Sequence, residues 1–163
     1  MFWIAASACL LAACGGDSAS TAAGSDESAV PLTAASLGDQ TVVPVADYLG
    51  KEPYSGADRD NGERLAQMCR VCHTIGRGGV NMIGPNLFGF FGKPAGSVAG
   101  YGYSAAMQEV DFVWTPRALD AWLLQPARFL PGNRMSFPGV SRASDRADLI
   151  AYLLEATSAD DPG

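Results

Sequence analysis

"CRVCHTIG", residues 69 to 76, holds the only histidine of the 163-residue chain, His73, directly after two cysteines three positions apart. On a helix Cys69 and Cys72 face the same side, and His73 follows within reach of whatever they hold. C-x-x-C-H is the attachment pattern of a c-type haem: each thiol adds to a vinyl group, and the neighbouring imidazole then meets the iron without a search. Three other readings compete. Zinc needs four ligands, and the chain has neither a second cysteine pair nor another histidine. A thioredoxin-like pair calls for a βαβ pattern, which is missing here. A structural disulfide across three residues would close a trivial loop and stabilise little.

The attachment motif supplies one axial ligand, and the second decides the chemistry. An open position permits oxygen or peroxide chemistry, whereas a thioether gives an electron carrier with a raised potential. Of the five methionines, Met1 falls in the leader and Met68 abuts Cys69. Met82 and Met107 need no role beyond packing. Met135 differs, because "FLPGNRMSFPG" presents it from a Pro/Gly turn that no core helix would choose.

Outside the motif, "MFWIAASACLLAAC" has an apolar run of signal-peptide length, too short for the ~20 residues that span a bilayer. It lacks basic residues ahead of the run. Its end, Leu11-Ala12-Ala13-Cys14, resembles a bacterial lipobox, which predicts a lipoprotein-type signal over 1–13 and an acylated Cys14; the alternative is a signal peptide with an incidental cysteine. Two or three acyl chains would hold firmly, at about 0.8 kcal/mol per buried CH₂. Residues 14–56 read as a lipidated cysteine and flexible acidic tether, spanning roughly 35 Å on average, although part of "TVVPVADYL" could pack on the domain. Residues 57–157 carry ten Lys/Arg against nine Asp/Glu, so the net charge of −6 belongs to the ends, including an acidic tail at 158–163. No basic footprint for nucleic acid exists.

Capping signals predict a helix over 58–71, a short one from Ser104 through Glu109, and a third opened by Thr115 and Pro116 through Leu124. A last helix is expected behind Ser144, with Leu149, Ile150, Leu153 and Leu154 as its apolar stripe. Between His73 and Ser104 the glycines and prolines suit a loop laid over a flat cofactor, and no strands are expected.

The segments "CRVCHT", "GPNLFGFFGK", "GYSAAM", "VWTP" and "LPGNRMSFPGV…DRADLIAYL" resemble the mitochondrial-type class I cytochromes c, over residues 57 to 157. The resemblance implies an all-α class I cytochrome c fold, with four to five short helices wrapped around one covalent haem c and the first and last helices crossing. It also implies His73 and Met135 as iron ligands and a hydrogen bond from His73 Nδ1 to the Pro85 carbonyl. Tyr103 and Trp114 would bond a haem propionate, and Gly84, Gly89 and Gly92 would admit backbone closely. Several positions depart from the family. Lys93 replaces an arginine, Trp122 a tyrosine that bonds the methionine sulfur, and Asn81 a second histidine. Ala66, with Leu65 beside it, replaces a phenylalanine, which predicts a looser helix crossing. Where relatives carry lysines around the haem edge, Met68, Met82 and Ala127 stand here, while Arg128, Arg134 and Arg142 retain some positive charge.

These readings together predict a non-enzymatic, lipid-anchored one-electron carrier on the periplasmic face of a bacterial membrane. It would run from a quinol-cytochrome c oxidoreductase to a terminal cytochrome oxidase or photosynthetic reaction centre. The alternatives are a haem peroxidase or gas-binding protein, and a dedicated electron-transfer subunit of a dehydrogenase.

Overall fold

A computed structural model describes residues 33–38 and 40–158. The leader over 1–13, Cys14 and residues 159–163 of the acidic tail lie outside the described residues. Among the described residues a 3-10 turn (Ala34–Ser36) precedes six α-helices in order: α1 (Val45–Leu49), α2 (Arg59–Arg70), α3 (Ala105–Gln108), α4 (Pro116–Leu124), α5 (Pro126–Phe129) and α6 (Ala143–Ala156). Among the described residues the only extended pairing outside helices is an isolated bridge between Pro94 and Val113. No described helix is long and apolar enough to cross a membrane.

Three helices start where the side chains dictate. Asp58 accepts from the Asn61 amide at 3.0 Å, Ser104 from Met107 at 3.2 Å and Thr115 from Ala118 at 3.2 Å, so each satisfies a donor the first helical turn leaves orphaned. The last helix departs from expectation. It begins at Ala143 with Arg142 in the cap position, so Ser144 sits inside the first turn. A tertiary contact sets that start: the Arg146 guanidinium donates to the carbonyls of Val140 and Ser141, both at 2.9 Å, and to Asp120 at 2.8 Å. The chain before the helix is thereby held in place by a residue within it.

α2 and α6 cross tightly, contrary to the loose crossing expected from Ala66. Gly62, Ala66 and Cys69 form the buried stripe of α2, and a Cβ on Gly62 would collide with the Asp148 carbonyl oxygen and lie 2.7 Å from the Tyr152 Cβ. Small residues here let the two backbones approach, and polar groups then close the seam. Asp148 accepts from the Asp58 amide at 2.8 Å and from the Asn61 side chain at 2.7 Å. Toward the other end, Arg70 donates to the Tyr152 hydroxyl at 2.6 Å.

The expected flexible tether over 14–56 needs correction across its described part. Leu37 is only 2 % exposed and belongs to the core, against which Val45, Tyr48, Leu49 and Tyr54 also pack. Tyr54 sits deep enough that burial, with the nearby Asp120 carboxylate, raises its hydroxyl pKa to about 12. The stretch behaves as a strap because these scattered apolar side chains find a surface, which offsets the entropy of ordering the chain. Packing of these side chains extends the core's contacts to the N-terminal side of residue 57. At the other end Thr157 and Ser158 are buried as well.

Candidate functional site

Cys69 lies in the last turn of α2, and the amides of Cys72 and His73 both donate to its carbonyl, at 3.0 and 2.9 Å. That final turn places both thiols and the imidazole along one wall of a cavity of about 480 Å³, a size that suits a sizeable cofactor. No disulfide joins the two cysteines, and burial pushes the Cys69 thiol up to about 11.

His73 Nδ1 lies 2.7 Å from the Pro85 carbonyl oxygen. A carbonyl only accepts, so the proton resides on Nδ1 and the lone pair on Nε2 remains available. Burial lowers the imidazole pKa from its ordinary value, partly countered by that hydrogen bond; the neutral ring is the form a metal takes. Gly84 makes room for it, since a Cβ there would lie 2.6 Å from both ring nitrogens. The 81–87 loop is pinned by Gly84 N to Cys72 O and Leu87 N to Thr74 O, each at 2.8 Å. Asn81, in place of a second histidine, joins this framework by accepting from Asn86 N at 2.9 Å and donating to Ala99 O at 3.1 Å.

Met135 lines the same cavity, as do Tyr103, Trp114, Lys93 and Trp122. The turn that carries it is locked by a residue the sequence reading passed over, Asn133. Its amide donates to the carbonyls of Pro126 at 2.9 Å and Leu130 at 2.8 Å, while its oxygen accepts from the Met135 amide at 2.8 Å. The signal was present as Asn after Pro-Gly, a residue that bonds its own turn. Arg134 donates to the Gly102 carbonyl, joining this turn to the segment before Tyr103.

Tyr103 accepts from the Val98 amide at 3.4 Å, and burial raises its hydroxyl pKa. Trp114 packs edge-on against Phe112 and Trp122, with ring centres 4.9 and 5.6 Å away. Among the described residues no three His, Cys, Asp or Glu side chains gather as a metal-holding group. A greasy slot with two thiols, one oriented imidazole and one thioether on its walls fits a covalently attached, iron-centred macrocycle.

That arrangement defines an all-helical haem-binding domain. No protein-family model matches the chain. It is 46 % identical to cytochrome c of Cannabis sativa over 98 residues, covering 60 % of this chain and 88 % of the relative. It is 48 % identical to cytochrome c of Theileria annulata over 90 residues, covering 55 % and 77 %. A cytochrome c homolog of Rickettsia felis matches at 41 % over 97 residues, 60 % of this chain and 55 % of that protein. The chain belongs to the cytochrome c family; it has the all-α fold of that family, carries one covalent haem c and is a monohaem electron carrier.

Proposed function

We propose that the protein is a lipid-anchored form of this carrier, acylated at Cys14 and held at the periplasmic face of a bacterial membrane. It passes single electrons from a quinol-cytochrome c oxidoreductase to a terminal oxidase or photosynthetic reaction centre. Cys69 and Cys72 fix the haem, His73 and Met135 hold its iron, and Tyr103 and Trp114 offer donors to its carboxylates. Bound there, the haem supplies a one-electron iron couple; no substrate bond is broken. The observation that carries the electron-carrier part of this reading is the convergence of both thiols, an Nδ1-committed imidazole and a thioether on one apolar cavity; the anchor rests on the lipobox-like Leu11-Ala12-Ala13-Cys14 alone. The sulfur and nitrogen donors sit on elements pinned by their own hydrogen bonds, so little rearrangement accompanies a change of charge.

The purified protein, oxidised, is expected to show a sulfur-to-iron charge-transfer band, and reduced, to resist carbon monoxide. Ready binding of carbon monoxide without that band would instead support a peroxidase or gas-binding role.

Partner contact is dominated by apolar surface. Met68, Val71, Val80, Met82 and Ile83 are exposed by 46, 68, 71, 46 and 76 %, and Met68 and Ile83 also line the cavity. Large exposed apolar groups at a site's mouth mark an interaction surface. Turnover with native membranes should therefore change less than about threefold between 0.01 and 0.1 M salt, while the Debye length falls from roughly 30 to 10 Å. A steep decline over that range would point to charge-steered docking instead.

A further inference from the structure

Gln40 and Val42 of the strap do not line the cavity, whose lining residues all come from position 68 onward. What they touch, Thr115 and Gly92, is the chain next to that lining. The buried Thr115 hydroxyl donates to Gln40 Oε1 at 2.5 Å. Its oxygen already accepts from Ala118 N as the α4 cap, so its proton needs an acceptor inside the protein, and Gln40 provides one. Val42, its outer side exposed, lies against Gly92, where a Cβ would come within 2.9 Å of Val42 Cγ1 and where φ is +73°.

Gly92 and Thr115 bracket a short backbone ladder. Gly92 N donates to Trp114 O at 2.8 Å, Trp114 N to Lys93 O at 2.9 Å and Ala95 N to Phe112 O at 2.9 Å. Lys93 and Trp114 from that ladder face the cavity. Two irregular segments joined by so few backbone bonds are marginal by themselves, and this pair is held at its outer corners by Gln40 and Val42.

We propose that Gln40 and Val42 are positioning residues that brace the Lys93–Trp114 ladder, keep water out of this side of the haem cavity, and thereby raise the reduction potential. The inference rests on the reading of the cavity as the haem site. Local opening of the ladder would admit water, and a more polar surrounding favours the more highly charged oxidised state.

The test uses the full-length haem protein with Gln40→Ala and, separately, Val42→Ala. Amides of Gly92, Ala95 and Trp114 should exchange with deuterium on the order of tenfold faster, with those of the α2–α6 crossing unchanged. The potential should fall by at least a twofold change in the redox equilibrium, about 18 mV at 59 mV per tenfold for one electron. Thr115→Ser, which keeps the hydroxyl, should show neither effect. Unchanged exchange at the three amides, or a lowered melting temperature with an unmoved potential, overturns the proposal. A product without haem overturns the potential half together with the proposed function, and the exchange rates then decide the brace alone.

Discussion

Met135→Ala is expected to abolish the sulfur-to-iron band and lower the reduction potential on the order of 0.2 V or more, since axial-ligand choice alone spans about 0.8 V across haem proteins. No other group on the 131–136 turn can replace the lost thioether: Ser136 is short and exposed, and the Asn133 side chain is already engaged by two carbonyls and the Met135 amide. The reduced variant should also bind carbon monoxide. Stability should drop far less than function, because Met135 is only partly buried and packs at the edge of the core. An unaltered voltammogram would remove Met135 from the iron and, with it, the carrier mechanism proposed for this site.

Gly62→Ala should cost more stability than any other single methyl group added to α2. On an exposed helical position the same change would be favourable by roughly 1 kcal/mol. Here the new Cβ meets the Asp148 carbonyl and the Tyr152 Cβ, so α2 and α6 must separate, loosening the Asp58 and Asn61 bonds to Asp148. Overpacking commonly costs 1–3 kcal/mol, and contact with backbone, which cannot rotate away, puts this case at about 3 kcal/mol or beyond. The melting temperature of the haem protein should fall by more than about 10 °C, using 4–8 °C per kcal/mol for a domain near 100 residues. Gln67→Ala, exposed on the same helix, serves as control and should stay within about 0.5 kcal/mol. Equal melting of the two variants would mean that the crossing is as yielding as Ala66 alone suggested.

Local chemistry is where reading from the chain succeeded. Asp58, Ser104 and Thr115 cap their helices because each acts on amides three residues away, and the Pro116 ring suits the first helical position whatever surrounds it. The same locality brought Cys69, Cys72 and His73 together, since one turn of helix and its exit are enough to align them. Met135 stood out for a related reason, as a thioether in a Pro/Gly turn between aromatics, and the structure places it on the wall of the same cavity. Ser144 misled because a capping residue within the first turn looks the same in sequence as one at its start. Only Arg146, reaching back to Val140 and Ser141, distinguishes them.

By itself, then, the amino-acid order determined the helical class and singled out Cys69, Cys72, His73 and Met135, which the fold gathers on one cavity, from signals that depend on neighbours within a few positions. Tertiary structure alone decided that the described part of the 14–56 stretch packs on the domain, because Leu37 joins the core, Gln40 meets Thr115 75 positions away and Val42 meets Gly92 about 50 positions away. It also decided that α2 and α6 cross closely. Whether a small residue leaves a gap or admits a backbone depends on the shape of the opposite surface, and that surface exists only once the chain has folded.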